Sequence, residues 1–297
     1  MKKIKLLLMS VVAAVLVGCG TTKTVPITGR QQSLMVSDGE VLSLSTQQYQ
    51  EFMKTAKLST NATNTAMVKR VGEKLATAVT NYLRSAGMSE DLQYYKWQFN
   101  LVQNNQVNAW CMPGGLICVY EGLLPVTQDE ASLAIVLGHE IAHAVARHSA
   151  EQMSTQMKQQ YGLQIGTAIA GAVGVGATAQ SIGQWALSQQ FNFKNLKYSR
   201  SHESEADHLG LIFAAMAGYD PQVAVPFWQR MAAKNGNSQQ NDLYSDHPSD
   251  ATRIKQIQEW MPEDLRYYTP PTTTTTTTKK ATTTKKTTTK KTTTKKK

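Results

Sequence analysis

The chain has 297 residues, of which 41% are hydrophobic, and a formal net charge of +10 at pH 7. Nine lysines lie in residues 269–297 and three in residues 1–18, and neither range contains an acidic residue. The charge that remains for residues 19–268 is −2. The positive net charge of the whole chain therefore does not indicate that the folded domain binds nucleic acid. We predict a signal peptide over residues 1–18, a lipidated linker over 19–29, one folded domain over 30–262 and a disordered Thr/Lys-rich tail over 263–297.

The N-terminus is typical of a secretory signal. Three lysines accompany an apolar run over residues 4–17, which is short for a membrane span of about 20 residues. The run ends in Leu16-Val17-Gly18-Cys19, which resembles the bacterial lipobox and predicts Cys19 as the lipidation site. Gly20 follows, and the usual sorting pattern then predicts an outer-membrane lipoprotein facing the periplasm. An uncleaved membrane anchor is the alternative.

Residues 94–120 carry the strand signal. Apolar Tyr95, Trp97, Phe99 and Leu101 alternate with polar residues, and a second and a third strand are predicted over 107–111 and 116–120. The intervening Gly114-Gly115 predicts a two-residue hairpin turn.

That two-residue turn would set Cys111 directly opposite Cys118, at a distance that a disulfide can span. An oxidising compartment would favour the bridge. The alternative is that both cysteines are small buried apolar residues.

The next element is a helix that carries two histidines. Thr127 and Glu130 predict a capping box at its start, and apolar residues then recur at helical spacing. His139 and His143 lie four residues apart, so both rings project from one face, as zinc binding requires. Glu140 is placed to act as a general base. The alternative is a helix whose histidines are ordinary core or surface groups; His148, about 140° further round, is not expected to join the site.

A second helix supplies candidates for the third ligand. Ser201 is predicted to cap a helix that runs to Met216. Glu203 and Asp207 share one face, so one could bind the metal while the other accepts a hydrogen bond from a ligating histidine. Glu205, His202 and His208 are predicted to point elsewhere. Alone, this segment also fits a charged, solvated helix start.

Four segments occur in the order found in one known family: Asn108–Leu124, His139-Glu140-x-x-His143, Ser199-Arg200-x-x-Glu203-x-x-Ala206-Asp207, and Ser245–Ile254 with its His247-Pro248 pair. Over residues 30–262 the chain resembles the zinc metallopeptidase family of HtpX and the CaaX prenyl protease. Within that family it is most similar to the periplasmic lipoprotein branch of LoiP- and BepA-like proteins. Helix signals dominate around one small sheet, which predicts an α+β fold. With the resemblance, this becomes a mainly helical zincin-like metallopeptidase domain with one small β-sheet.

The resemblance also implies roles for individual residues. It implies one zinc ion per chain, with Glu203 as the third ligand and Asp207 as the hydrogen-bond partner of a ligand. It implies that His247 reaches the active site, as a catalytic donor or as a fourth zinc ligand that keeps the enzyme latent; a loop histidine without such a role is the third possibility. Arg253 would orient His247 or face solvent.

The same resemblance concerns the substrate as well. The segment that begins at Asn108 and Ala109 corresponds to the family's edge strand beside the cleft, where an extended polypeptide could add as a further strand. This predicts unfolded or flexible substrates.

Three functions remain distinct at this point. The first is a membrane-tethered periplasmic zinc endopeptidase that hydrolyses unfolded or misassembled envelope proteins. Its partners would be polypeptide substrates, the outer membrane through the lipid anchor, and the outer-membrane assembly machinery. The second is a chaperone-like adaptor in outer-membrane protein assembly with a latent metal site. The third, which the sequence favours least, is a cell-wall hydrolase.

Overall fold

The computed structural model describes residues 21–167, 179–235 and 251–270. The predicted signal peptide, Cys19, His247 and nearly all of the predicted tail lie outside the described residues. Among the described helices, none is both long and apolar enough to cross a membrane.

A hairpin begins the described chain. Strands β1 (Thr21–Thr24) and β2 (Gln31–Leu34) pair antiparallel, with Thr21 opposite Leu34. Most of the predicted linker, 19–29, is therefore structured. The reason is burial, because Val25 is only 1% exposed and joins the main core.

Two long helices follow the hairpin. Helix α1 (Asp38–Thr55) starts at a capping box between Ser37 and Glu40. Helix α2 (Ala62–Ser85) is capped by Asn61 and buries an apolar stripe against the central sheet and against the helix that carries the histidine pair.

The central sheet has three strands, β3 (Gln98–Val102), β4 (Ala109–Met112) and β5 (Leu116–Tyr120), in the order β3-β5-β4. Strand β5 runs parallel to β3 and antiparallel to β4. Strand β4 is thus an edge of this sheet, and it packs against the helix that carries the histidine pair.

The predicted pairing of Cys111 with Cys118 is wrong. Met112 pairs with Leu116, so the loop has three residues instead of two, and Cys111 lies opposite Ile117. A shift of one residue moves a side chain to the other face of a sheet. The two cysteines are therefore buried as free thiols in different clusters of the core, and burial raises the pKa of both.

Seven further helices complete the described chain: α3 (Leu124–Thr127), α4 (Glu130–Val145), α5 (His148–Thr167), α6 (Ala179–Ser188), α7 (Arg200–Met216), α8 (Ala224–Asn235) and α9 (Ala251–Asp264). Helix α9 runs past the predicted domain end at residue 262, and its last residue, Asp264, is fully buried. The predicted α+β class, mainly helical with a small sheet, is confirmed.

Helices α4 and α7 pack with their backbones in close contact. A Cβ atom at Gly138 would lie 2.6 Å from the Gly210 carbonyl oxygen, and one at Gly210 would lie 2.6 Å from the His139 nitrogen. Glycine at both positions lets the two backbones touch. This contact brings the acidic face of α7 against the histidines of α4.

Candidate metal centre

Helix α4 presents its two histidines from a buried position. Its N-cap is Asp129, whose carboxylate accepts from the Ser132 backbone at 2.7 Å. The predicted cap at Thr127 is wrong, because Gln128 adopts a positive φ of 68° and separates Thr127 from the helix. His139 and His143 follow one turn apart, with ring centroids 4.7 Å from each other.

Helix α7 supplies the third donor. Its N-cap is Ser199, two residues before the predicted Ser201. Glu203 then lies in the first turn, where the helix dipole favours a carboxylate, and it faces both histidines.

The three side chains form a small triangle of donor atoms. The Nε2 atoms of His139 and His143 are 3.0 Å apart, and each lies 3.4 Å from a carboxylate oxygen of Glu203. Zinc bonds of about 2.0–2.1 Å at tetrahedral angles would separate neighbouring donors by about 3.3 Å. Two imidazole nitrogens and one carboxylate thus fit a zinc ion in both chemistry and spacing, and the structure brings together the three predicted ligands.

His139 is held from behind by a charged pair. Its Nδ1 donates to Asp207 at 2.8 Å, so the nitrogen that faces the triangle is Nε2, which offers a lone pair to a metal once the ring is neutral. Arg253 donates to the same Asp207 oxygen at 2.5 Å and stacks 3.5 Å above the Trp228 ring. Arg253 is therefore buried behind His139, which rules out the alternative that it faces solvent.

The pKa of His139 reflects this setting. Burial alone would lower it, but hydrogen bonds with Asp207 and Glu203 outweigh burial and raise the pKa to about 9. A metal ion must displace that proton, so metal binding here is coupled to proton release.

His143 also has an ordered surrounding, which the sequence did not reveal. Its Nδ1 lies 2.9 Å from Nδ1 of His148, and the Tyr198 ring stacks on it with a centroid separation of 4.0 Å. His148 is not a member of the donor triangle, as predicted, but it reaches His143 because α4 ends at Val145. A new helix starts at His148 after Arg147 adopts a positive φ of 55°.

Arg147 has an evident reason for its strained backbone. Its guanidinium donates to Asp38 at 2.8 Å and lies 2.7 Å from Asp91. A break fixed by such distant partners leaves no signal in the local sequence, which is why helical periodicity did not reveal the contact between His148 and His143.

Glu140 is buried next to the histidine pair. After burial itself, its charge is the largest influence that raises the pKa of Cys111 on strand β4, and it also raises the pKa of Tyr198. The Glu140 carboxylate therefore acts electrostatically on a thiol of the edge strand and on the Tyr198 hydroxyl.

The two residues predicted to bind substrate lie at the start of edge strand β4: Asn108 directly precedes the strand and Ala109 is its first residue. The Asn108 carbonyl accepts from the Tyr120 backbone at 3.0 Å, so Asn108 bonds into the sheet. The alternation of an antiparallel ladder then turns the backbone groups of Ala109 and Cys111 towards the outer edge.

Comparison with known proteins agrees with the site. The model of Peptidase family M48 matches residues 62–261. Human mitochondrial metalloendopeptidase OMA1 is 30% identical over 81% of this chain and 46% of its own length. Metalloprotease LoiP of Escherichia coli is 27% identical over 88% of this chain and 98% of its own length, and metalloprotease YcaL of the same organism is 26% identical over 87% and 98%. The chain thus spans about half the length of the OMA1 proteins it matches.

Proposed function

Because the chain belongs to peptidase family M48, whose members are zinc-dependent metallopeptidases, we propose that it is a zinc endopeptidase of the bacterial envelope. We further propose that Cys19 anchors it to the outer membrane facing the periplasm, and that its substrates are unfolded or misassembled envelope proteins.

The donor triangle of His139, His143 and Glu203 carries the proposal. All three residues are at most 8% exposed, and they converge from two helices whose backbones meet at a pair of glycines. A buried carboxylate beside two imidazoles needs a positive charge close to it, which the extra proton on His139 supplies in the metal-free protein and a zinc ion would supply in its place. A zinc ion bound there would supply a Lewis acid that activates water and polarises the scissile carbonyl.

Glu140 is the proposed general base. It directly follows the ligand His139 on helix α4, and its burial removes competing solvent. The carboxylate would take a proton from the attacking water and deliver it to the leaving amine. Asp207 and Arg253 would hold His139 in the tautomer that presents Nε2.

Strand β4 supports an extended substrate. Its outer edge offers backbone groups at Ala109 and Cys111, and it packs against the helix that carries Glu140. A polypeptide that adds to this edge would need to be locally unfolded. Recognition through backbone groups predicts loose sequence specificity.

The lipoprotein-like N-terminus supports the proposed location, because Leu16–Cys19 resembles a lipobox and the hairpin at residue 21 follows almost at once. The test is globomycin treatment of cells, which should leave the precursor unprocessed. A precursor that is processed normally, or a Cys19→Ala protein that still fractionates with outer membrane, would contradict it.

The activity test compares the wild type with Glu140→Gln on unfolded casein, after zinc content has been measured for both. We expect equal zinc and cleavage by the wild type alone. If the wild type holds zinc but cleaves nothing, and both proteins rescue a deletion strain equally, the peptidase proposal fails. The chaperone-like adaptor would then be the function.

A further inference from the structure

A continuous chain of hydrogen bonds runs from the donor triangle to the N-terminal hairpin. His143 Nδ1 lies 2.9 Å from His148 Nδ1, and His148 Nε2 lies 2.9 Å from an oxygen of Glu205. Arg30, in the turn of the hairpin, donates through Nε to both oxygens of Glu205, at 3.1 and 2.9 Å. Thr28 adds a hydrogen bond to Glu205 at 2.7 Å.

The direction of these hydrogen bonds follows from the groups at the far end. Glu205, bound by Arg30, is a carboxylate that only accepts, so His148 Nε2 must donate to it. In a neutral imidazole the other nitrogen then accepts, and His143 Nδ1 must donate to His148 Nδ1. His143 Nε2 is left with its lone pair, which points into the donor triangle.

The reverse arrangement would close the site. If His148 donated from both nitrogens, His143 Nδ1 would accept and its Nε2 would carry the proton. That Nε2 lies 3.0 Å from Nε2 of His139, so a proton there would stand where the metal has to bind. Only one tautomer of the pair is compatible with zinc.

Packing holds both rings in place. His148 is 0% exposed and its ring stacks on His202, with centroids 4.5 Å apart. His143 stacks on Tyr198 in the same way. Neither imidazole can flip without displacing an aromatic neighbour.

Arg30 ties the hairpin to two helices at once. Besides Glu205 on α7, it donates to both oxygens of Glu151 on α5 at 2.8 Å. Gln32 on strand β2 also donates to Glu151, at 2.8 Å. Arginine–carboxylate contacts of this kind are geometrically specific, so they fix the position of the hairpin on the rest of the domain.

We infer that His148, held by Glu205 and Arg30, is a positioning residue that fixes the tautomer and orientation of His143 for zinc binding. The N-terminal hairpin is then part of the metal site's support and more than a spacer after the anchor. The inference rests on the proposed zinc function, but its measured quantity is metal affinity and not cleavage.

The test uses three variants of the full mature protein and Zn²⁺ as the only ligand, in competition with a chromophoric chelator. His148→Leu removes the acceptor, and zinc affinity should fall about 10- to 100-fold, the usual cost of losing such a partner. His148→Asn places an amide oxygen near the former Nδ1, so it should recover most of that loss. Arg30→Gln acts one step further away and should give a smaller loss.

We call the hydrogen-bond chain from His143 through His148 and Glu205 to Arg30 the relay. Two matched controls distinguish loss of this relay from general damage to the fold. His208→Leu makes the same change at a histidine of α7 whose ring stacks on Trp260 instead. Arg70→Gln removes another arginine–glutamate pair, with Glu130 at the far end of α4. Both should keep the zinc affinity of the wild type.

A spectroscopic readout addresses the tautomer itself. With ¹⁵N-labelled histidine, the zinc-loaded wild type should show a proton on Nδ1 of His143 with a hydrogen-bond shift that His148→Leu loses and His148→Asn retains. A wild-type spectrum without that proton overturns the inference. So does a folded His148→Leu that binds zinc like the wild type; if this variant does not fold, equal affinities of Arg30→Gln and the wild type overturn it.

The zinc-affinity measurements and the cleavage assay test the two proposals separately. If the wild type cleaves nothing but its zinc affinity falls in the predicted order, the peptidase proposal fails and the relay stands. If it cleaves casein while all three variants bind zinc equally well, the relay fails and the peptidase stands.

Discussion

The contact between Gly138 and Gly210 sets the distance between helix α7, which carries Glu203 and Asp207, and helix α4, which carries the two histidines. Gly210→Ala perturbs this contact directly. The added Cβ would lie 2.6 Å from the His139 nitrogen and 2.8 Å from the Gly138 carbonyl carbon. Ordinary contacts of a Cβ begin at 3.4 Å, so α7 must retreat from α4 by about 0.8 Å. Both atoms belong to helix backbone and cannot swing aside.

The same retreat carries Glu203 and Asp207 away from His139. Ligand distances in a metal site tolerate only about ±0.2 Å. We therefore expect Gly210→Ala to lower zinc affinity about 10-fold or more, as loss of a supporting partner does. Overpacking should also cost about 1–3 kcal/mol of stability, against a gain of about 1 kcal/mol for alanine in a helix.

The assay has two parts. Guanidinium unfolding of the metal-free protein gives the free energy of unfolding, and chelator competition gives the zinc affinity. Gly183→Ala is the matched control, because a Cβ there meets nothing within 4 Å in helix α6. It should leave zinc affinity unchanged and stabilise slightly. A Gly210→Ala protein with wild-type stability and wild-type zinc affinity would refute the reasoning.

Three further predictions follow from the site and the sheet. Asp207→Asn removes the carboxylate that His139 and Arg253 share, so zinc affinity should fall about 10- to 100-fold. Because the variant also breaks a buried ion pair, the free energy of unfolding should fall by about 3–5 kcal/mol. Equal unfolding curves for the variant and the wild type would contradict the role of this buried pair. In the metal-free protein the pKa of His139 is raised to about 9, so protonation of His139 stabilises the folded metal-free protein below pH 6.5, and this stabilisation is lost as the pH rises through 9. Zinc binding at neutral pH should release this proton, which calorimetry in buffers of different ionisation enthalpy should detect. A heat of binding that does not depend on the buffer would contradict the prediction. Cys111 and Cys118 should react with a thiol reagent only after unfolding and without prior reduction, and a mass increase of two hydrogens on reduction would show a bridge instead.

The sequence was sufficient where chemistry depends on local spacing. Four-residue periodicity brings His139 and His143 to one face, and the same spacing brings Glu203 and Asp207 to one face of α7. The α+β class also followed from strand and helix patterns. These features depend on contacts along one helix or strand, which the sequence encodes directly.

The sequence was insufficient where the strand register, a helix cap or a helix break depends on contacts outside the local pattern. The three-residue turn after Met112 moved Cys111 out of register, and Gln128 shifted the cap of α4 from Thr127 to Asp129. Arg147 breaks the helix because its partners lie about 110 and 55 residues earlier, at Asp38 and Asp91. The clamp of Arg30 on Glu205 joins residues 175 positions apart, beyond the reach of any periodicity.

The most direct measurement is an anomalous difference map, recorded at the zinc absorption edge from crystals of the zinc-loaded protein. The account predicts one peak per chain, at about 2.0–2.2 Å from Nε2 of His139, Nε2 of His143 and a carboxylate oxygen of Glu203. A peak coordinated by His148 or His202, or the same peak in crystals of Glu203→Gln, would contradict it.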